Sequence, residues 1–346
     1  SKFSAMIELD GSYGEAGGSI VRVAVALSAV TGKPCKIVNI RAKRRNPGLQ
    51  AQHLTAVNAV AKLCNAEVRG NEIGSTEIDF NPGEITGGSL SLNVGTAGST
   101  ALVMQALMIP AIHCASDLDI KITGGTLNKW APSIGYIQNV TLDILKKMGY
   151  KAEITLIRHG IYPKGGGEVE AKIKPSSLLS LDLIKRGKPM HVFGSCIASK
   201  DLEKSKVAGR MQKYARERLF KEFQIVPEIK AGYVDAHSTG GGIDLFVLYE
   251  NSIIGSSAIA ELGKSAEKVA QEAITNLIEN HNSQAPIDEH MSDQIIPYMA
   301  LVKGESRIRV SKITTHTLTN IWVCERFLDV KFDVDEKEKT ISCNKN

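Results

Sequence analysis

The clearest pattern in the chain is a pair of long apolar runs, each of which follows a glycine-rich segment. Residues 20–30 follow GSYGEAGGS at 11–19, and residues 101–112 follow GTAGST at 95–100. Glycine clusters mark turns, and an apolar run of this length is typical of a helix that is buried on most sides. The pattern therefore predicts a turn and a buried helix at both places.

The surroundings of these two helices repeat as well. After the first we predict a strand, a second helix and two more strands, at 34–40, 50–63, from 67 and at 75–80. After the second we predict the same order, at 118–122, 131–148, from 151 and at 165–173. A third copy has helices and strands at 291–302, 307–311 and 317–327, followed by VKFDV and TISC. Each copy covers only one sheet face, so we expect the copies to pack together. The predicted fold class is α+β, built from repeated two-helix, four-strand units.

A segment of different order separates the second copy from the third. It contains a strand, a long charged helix, two strands around an STGGG turn, and a last helix, at 190–199, 201–223, 225–234, 243–249 and 266–280. We interpret residues 182–283 as an inserted, smaller α/β domain. Residues 1–181 plus 284–346 then form the catalytic repeat domain.

Composition is that of an ordinary globular protein, with 346 residues, 43% hydrophobic and 23% charged. No stretch approaches the roughly 18–20 uninterrupted apolar residues of a membrane span, and residues 1–8 do not resemble a signal peptide. The six cysteines form no C-x-x-C pair, which argues against zinc and favours a reducing, cytoplasmic location. We expect no membrane partner, and a homodimer is left open.

The net charge of +5 is compatible with a phosphate-rich ligand, but its local clustering is more informative. Arg41 and Arg44 belong to a dense basic block that is either a solvated loop or a site of forked contacts to phosphate. Gln52 and His53 lie in the first turn of the helix that follows this block. The loop therefore joins basic and polar side chains to a helix start.

The glycine-rich loops are also open to two interpretations. They are tight turns between helix and sheet, or backbone segments that approach a phosphate at a helix N-terminus. Glu15, in the first loop, either interacts with the helix dipole or ligates Mg²⁺, and Arg22 follows one turn into the helix. A third loop, YPKGGG at 162–167, is either a bulge or a further backbone approach to ligand.

His316 lies in the segment TTHTLTN at 314–320, where a threonine is a good helix N-cap. The position at or inside the first turn favours the neutral imidazole, which is the nucleophilic form, and attracts anions to the same spot. The alternative is a polar residue at a helix end without chemistry. Local sequence does not decide between the two.

Taken together, these segments resemble the RNA 3'-terminal phosphate cyclase family. The match runs in order over nearly the whole chain. It covers DGSYGEAGGSIVR (10–22), IRAKRRNPGLQAQHLTAV (40–57), GTAGSTALVMQAL (95–107), GGTLNKWAP (124–132), RHGIYPKGGGEV (158–169), HMSDQIIPYMAL (290–301) and THTLTNIWVCERF (315–327). The resemblance implies a repeat architecture like that of the enolpyruvyl transferases, with a smaller inserted domain.

The resemblance also implies an activity: ATP-dependent closure of an RNA 3'-phosphate onto its 2'-hydroxyl. The family's adenylylated histidine corresponds to His316. Its ATP pocket corresponds to Gln105, Pro132, His290, Met291, Ser292, Asp293 and Gln294. The acid of the first loop corresponds to Glu15, with Mg²⁺ or Mn²⁺ as the metal. Arg22, Arg41, Arg44, Gln52 and His53 would line the site for phosphate and RNA.

Two departures from the family pattern stand out. Ala16 and Ser19 replace a glycine and a glutamine in the first loop, and His290 replaces a tyrosine found in some members. Two other functions are also to be weighed. Non-catalytic relatives that act in ribosome assembly lack the nucleophilic histidine, and the enolpyruvyl transferases lack the R-H-G-x-Y-P-x-G-G-G and T-H-T motifs. Since this chain has all three features, the cyclase is the predicted function.

Overall fold

The computed structural model describes residues 6–14 and 17–345. In these ranges the first repeat unit has two helices on a four-stranded sheet. Its elements are β1 (Ile7–Asp10), α1 (Ser19–Thr31), β2 (Cys35–Val38), α2 (Ala51–Cys64), β3 (Glu67–Arg69) and β4 (Ile78–Asn81). The sheet order is β1-β2-β4-β3, with the first pair parallel and the other two pairs antiparallel.

The second unit repeats this topology. Its elements are β5 (Gly88–Asn93), α3 (Thr100–Ala111), β6 (Leu118–Gly124), α4 (Ile134–Tyr136), α5 (Leu142–Lys146), β7 (Ala152–Arg158) and β8 (Gly167–Ile173). The sheet order is β5-β6-β8-β7. A π-helical turn, Ile137–Thr141, joins α4 to α5. The helix predicted from residue 131 therefore begins three residues later, where the Ser133 hydroxyl accepts a hydrogen bond from the Tyr136 N–H and caps it.

The third unit is completed by a strand that comes before the insert. Its elements are β9 (Asp182–Leu183), α8 (Met291–Gln294), α9 (Ile296–Leu301), β14 (Ser306–Arg309), α10 (Thr315–Phe327), β15 (Val330–Asp335) and β16 (Thr340–Lys345). β9 pairs in parallel with β14, and the order β9-β14-β16-β15 matches that of the other two units. The start of the insert, predicted at residue 182, therefore has to move beyond Leu183. A strand of two residues has too short a pattern to be found in the sequence.

The insert interrupts the third unit between its first strand and its first helix. It contains β10 (Pro189–Ser199), α6 (Val207–Phe223), β11 (Glu228–Val234), β12 (Gly241–Tyr249), β13 (Ile253–Ile259) and α7 (Ala266–Asn282). Its sheet has the order β11-β10-β12-β13. Apolar residues of both helices and of this sheet form a hydrophobic core separate from that of the repeat units.

The repeat units share one core, with α1 at its centre. Nine of its side chains between Ile20 and Ala29 are buried, and α1 contacts α2, α3 and α10. A helix that is apolar on all sides is stable only when it is surrounded in this way. The expectation that repeated α+β units pack together is confirmed. In the described ranges, no helix is long and apolar enough to cross a bilayer.

Candidate active site

His316 is exposed in the first turn of α10. Thr314 caps this helix, because its hydroxyl oxygen accepts a hydrogen bond of 3.1 Å from the Thr317 N–H. The unpaired N–H groups and dipole of a helix N-terminus attract anions. His316 is therefore held on a rigid element at a point where a phosphate would be stabilised.

Helix α8 is fixed directly against this helix start. The buried hydroxyls of Ser292 and Thr317 lie 2.9 Å apart, and the side-chain amide of Asn320 donates to the Asp293 carbonyl at 3.0 Å. Met291 and Ser292 are fully buried. Their burial favours a role in holding α8 in place over direct side-chain contact with ATP.

A second anchor of α8 is Asp288, which the sequence did not single out. Its buried carboxylate accepts hydrogen bonds from the Tyr136 hydroxyl at 2.6 Å and from the N–H groups of Gly255, His290 and Met291. An aspartate just ahead of a helix is an N-cap signal, which could have pointed to it. Asp288 thus links unit two, the insert and α8.

The first glycine loop packs on α10 one turn after His316. A β-carbon at Gly14 would collide with the Thr319 hydroxyl, and Gly14 has a φ of +61°. The Tyr13 ring stacks on Trp322 at 4.0 Å between centroids. These contacts bring the N-terminal loop and the C-terminal helix to one place. Glu15, predicted as the metal ligand, lies outside the described residues.

Near the start of α1, a cluster of positive side chains surrounds the neutral ring of His53, which belongs to α2. His53 is 5% exposed, and its Nδ1 accepts a hydrogen bond from the Gln50 N–H at 3.1 Å. The proton therefore sits on Nε2. Burial, followed by the charges of Arg22, Arg41 and Arg44, lowers the pKa of His53 to about 3. The ring thus offers a neutral N–H donor among three cations.

Gly18 allows the close approach of this cluster to the first loop. A β-carbon there would lie 2.7 Å from Arg22 Nη1 and would overlap the His53 ring. A β-carbon at Gly17 would lie 3.1 Å from Arg44 Nη2. Arg22, Arg44 and His53, predicted from separate segments, are therefore brought together.

Arg41 has a different environment from Arg44. Its Nη1 donates to the carbonyl oxygens of Asn46 and Gly48, at 2.6 and 2.8 Å. Burial, and then the Arg44 charge, lowers the pKa of this guanidinium. Arg41 therefore stabilises the basic loop itself, in addition to any contact with phosphate.

Gln52 connects the cluster to the second glycine loop. Its side-chain oxygen accepts a hydrogen bond of 3.0 Å from the Ser99 N–H at the start of α3. The Ala97 carbonyl in the same loop accepts a bond of 2.6 Å from the Asn128 amide. The loop is thus held between the cluster of Arg22, Arg44 and His53 and the segment that precedes α4.

A pocket beside the cluster contains four of the predicted residues. Arg22, Gln105, Asp293 and Gln294 line it, together with Asn320. The Gln105 Nε2 and Asn320 Oδ1 atoms are buried without a hydrogen-bond partner. Buried polar atoms without partners are costly, so this pocket, of about 50 Å³, is suited to a small polar group or an ordered water that would satisfy them.

His316 interacts electrostatically with this pocket through Asp293. Burial raises the pKa of the Asp293 carboxyl to about 6. The charges of His316, His290 and Arg22 act in the opposite direction, so all three lie within electrostatic reach of this carboxylate. Burial lowers the pKa of Arg22 to about 10, which still leaves the guanidinium charged at neutral pH.

Two further predicted ATP residues, His290 and Pro132, do not line this pocket. His290 Nε2 is 2.7 Å from the Asn276 side-chain oxygen, and its ring meets Tyr136 edge-on. Gln294, which does line the pocket, accepts a hydrogen bond from the Thr141 hydroxyl at 3.0 Å. Pro132 lies between Ala131 and Ser133, which both line a large cleft between unit two and the insert.

A cluster of cations and neutral donors at helix starts binds anions, and a histidine on an adjacent helix start can act as a nucleophile towards one. The class of protein that this fold and site define is an enzyme acting on phosphate-containing substrates. A family model described as RNA 3'-terminal phosphate cyclase matches residues 13–334. The chain belongs to the RNA 3'-terminal phosphate cyclase family and is an enzyme of that family.

Several curated relatives carry the same name. The RNA 3'-terminal phosphate cyclase of Methanosarcina barkeri is 45% identical over 96% of this chain and 98% of its own length. Those of Korarchaeum cryptofilum and Methanopyrus kandleri are 44% and 42% identical, over 95% and 96% of this chain. The similarity therefore extends over whole proteins.

Among solved structures, the enolpyruvyl transferase NikO from Streptomyces tendae aligns at 9% identity with a TM-score of 0.41. The alignment covers 99% of this chain and 48% of the NikO chain, so this chain spans about half of that length. The repeat architecture described above rests on the shared strand order of the three sheets.

Proposed function

We propose that this protein converts an RNA 3'-terminal phosphate into a 2',3'-cyclic phosphodiester, with consumption of ATP and release of AMP and pyrophosphate. The observation that carries the proposal is the position of His316, exposed at a capped helix start and electrostatically linked to Asp293 in the adjoining pocket. Membership of the cyclase family supports the overall reaction.

In the first proposed step, an imidazole nitrogen of His316 attacks the α-phosphorus of ATP. A nitrogen–phosphorus bond forms and the bond to pyrophosphate breaks, which leaves a covalent histidine–AMP. The dipole of α10 and the charge of Arg22 would offset the negative charge that develops on the phosphate oxygens.

In the second step, an oxygen of the RNA 3'-phosphate attacks the phosphorus of the histidine–AMP, and the bond to His316 breaks. Arg44, Arg41 and the Nε2–H of His53 would hold this phosphate. The vicinal 2'-hydroxyl then attacks the activated phosphate, loses its proton and expels AMP. Because the last step is intramolecular, orientation alone lowers its barrier strongly.

The predicted Mg²⁺ or Mn²⁺ would be bound mainly through the triphosphate. In the described part of the chain, no three His, Cys, Asp or Glu side chains converge as metal ligands. Mg²⁺ bound to a nucleotide needs only one or two protein carboxylates, and Asp293, which faces the pocket, is a carboxylate of this type. Glu15 would be another. The ion would offset charge on the phosphates.

The alternative function, a non-catalytic role in ribosome assembly, requires no nucleophile. The presence of His316 within electrostatic reach of Asp293, which lines one pocket with Arg22 and Gln105, supports the enzyme instead. We also propose a cytoplasmic location, in keeping with six free and buried cysteines.

The proposed sequence of steps can be tested with enzyme that has been labelled by α-³²P ATP and freed of excess nucleotide. RNA ending in a 3'-phosphate should discharge the label as AMP and acquire a cyclic end. RNA with a 2'-deoxy terminal nucleotide and a 3'-phosphate should discharge the enzyme but accumulate as an adenylylated end. RNA with a 3'-hydroxyl should leave the label in place. If the 3'-hydroxyl RNA discharges the enzyme equally well, the protein is a different nucleotidyl transferase.

A further inference from the structure

A cleft of about 530 Å³ lies between the segment before α4 and the sheet of the insert. Its walls come from residues 126–139 on one side and from β10, β12 and β13 on the other. Neither His316 nor any residue of the arginine cluster or of the Gln105 pocket lines this cleft, but Pro132, a predicted ATP residue, lies between two residues that do. The occupant of the cleft therefore has to be inferred from its own lining.

Trp130 stands at this cleft with its side chain in solvent. It is 96% exposed and has a φ of +63°. An exposed indole gains nothing from core packing, and the left-handed region is strained for a bulky residue. Residues held in such conformations cluster at ligand-binding sites. The stability of the fold therefore does not explain why an exposed tryptophan with a left-handed backbone occurs at position 130.

An ion pair joins the two sides of the cleft beside Trp130. Lys129, the residue before Trp130, pairs with Glu261 of the insert, and Leu262, the residue after Glu261, is fully exposed. An exposed indole and an exposed leucine therefore follow the two members of one ion pair.

The charges of the cleft favour a ring over a phosphate. Lys264 is paired with Glu261 and Glu272, at 3.1 and 2.6 Å. The buried Asp244 carboxylate accepts hydrogen bonds from the hydroxyls of Ser133 and Ser257. With its cations paired and a carboxylate in its wall, the cleft would attract phosphate weakly.

The second glycine loop connects the segment of Trp130 to the proposed RNA-phosphate site. Asn128, two residues before Trp130, donates a hydrogen bond to the Ala97 carbonyl of this loop. The Ser99 N–H of the same loop donates to Gln52, the neighbour of His53. This loop therefore lies between the arginine cluster and the segment of Trp130, and it is the path inferred for the RNA strand.

We propose that Trp130 is a stacking platform for a nucleobase of the substrate RNA, close to its 3' end. The inference rests on the proposed cyclase function and adds to it a subsite for RNA. Aromatic platforms bind bases of any sequence, because every base has a π-face. The adenine of ATP is the competing source of a ring, and the test separates the two.

The binding test uses the fluorescence of Trp130. The chain has two tryptophans, so Trp322→Phe leaves Trp130 as the sole indole. Addition of a short RNA with a 3'-phosphate, without ATP, should quench this emission, whereas AMP should not. An abasic nucleotide at the stacked position should abolish the quenching. Quenching by AMP alone, or none by RNA, would overturn the proposal.

The kinetic test compares Trp130→Ala with Trp130→Phe and with Phe220→Ala, an exposed aromatic on the outer helix of the insert. In Trp130→Ala, loss of one stacked base should raise the KM for RNA roughly 5- to 100-fold. Trp130→Phe and Phe220→Ala should keep a KM near that of the wild type. Labelling by ATP, which uses no RNA, reports whether each variant is folded. An unchanged KM for RNA in Trp130→Ala contradicts the platform, whereas failure of the wild type to label contradicts the proposed function itself.

Discussion

At the scale of single residues, Arg41 of the basic loop has a structural task in addition to its proposed contact with phosphate. Its guanidinium donates to two carbonyl oxygens of its own loop. A loop that lacks these hydrogen bonds would be less ordered. Loss of Arg41 should therefore affect loop stability as well as phosphate binding.

We expect Arg44→Ala to raise the KM for RNA about tenfold, since a charge-assisted contact is lost. Arg41→Ala should raise the KM and also lower the free energy of unfolding by about 1–2 kcal/mol. Arg45→Ala, from the same basic block, is the control and should change neither. Urea unfolding and steady-state kinetics measure both quantities. Wild-type stability of the Arg41 variant would show that the carbonyl contacts are unimportant.

His53 is the second residue whose environment makes a quantitative prediction. Its pKa is about 3 in the folded protein and about 6.5 in an unfolded chain. As the pH falls below about 6.5, the unfolded state binds a proton that the folded state does not, so stability decreases. The loss from this residue should reach about 1–2 kcal/mol at pH 5.

His53→Gln removes this titration. The free energy of unfolding, measured in urea at pH 7 and pH 5, should therefore fall less in the variant than in the wild type. The variant will be less stable at pH 7, because the hydrogen bond from Gln50 is disturbed, so the comparison concerns the slope. Identical slopes would mean that His53 is protonated in the folded protein.

At the scale of elements, the N-terminus of α10 is the feature on which the proposed chemistry depends. It is shaped by the Thr314 cap, by Ser292 of α8 and by the glycine loop that packs on Thr319. A change in any of these contacts should move His316 without removing it. Gly14 offers the sharpest test, since a methyl group there would collide with Thr319.

Gly14→Ala and Gly32→Ala form a matched pair. Both glycines have a positive φ, of +61° and +71°, but a β-carbon at Gly32 meets nothing within 4 Å. Both substitutions should cost about 1 kcal/mol of stability from backbone strain. Only Gly14→Ala should also slow formation of the covalent nucleotide, by tenfold or more. If both variants label at the wild-type rate, the contact of the loop with α10 is not needed for catalysis.

The elements show why some of the fold could be predicted from the sequence and some could not. Glycine loops followed by apolar runs predicted the starts of α1 and α3 to within a residue, because both signals are local. β9 was missed because a parallel pairing of two residues has no pattern of its own. The anchoring role of Asp288 depends on Tyr136 and Gly255, which are distant in sequence.

The site itself was less predictable than the helices. Local sequence identified His316 only as a polar residue at a helix start, and the family resemblance supplied its proposed role. The contact between Gly14 and Thr319 joins opposite ends of the chain, so no local periodicity encodes it. Gln105 is a polar residue in an apolar helix, and its unpaired amide becomes evident only when the pocket is formed.

At the scale of the whole molecule, the insert has its own core and yet supports α8. Its helices α6 and α7 cover one face of its sheet, while Phe246 and Ile253 pack into the core of the repeat units. From α7, Asn276 contacts His290, and Asn280 accepts a hydrogen bond from the Glu289 N–H. The insert should therefore fold alone, although its removal would weaken one side of the proposed ATP site.

A fragment of residues 188–283 should show helical circular dichroism and cooperative unfolding in urea. Replacement of Phe246 by Ser in this fragment should improve its solubility, because the side chain is covered only in the complete protein. In the complete protein, Asn276→Ala should raise the KM for ATP several-fold and leave the KM for RNA unchanged. A fragment without cooperative unfolding would contradict the division into two cores.

The most direct test of the account is the identity of the residue that carries AMP. Incubation of the complete protein with α-³²P ATP and Mg²⁺ should label it, and the bond should be labile to acid and stable to alkali, as expected for a phosphoramidate. His316→Asn, which is exposed and should fold normally, should abolish the label, and mass spectrometry should locate the AMP on His316 in the wild type. Normal labelling of His316→Asn, or AMP found on another residue, would contradict the proposed mechanism.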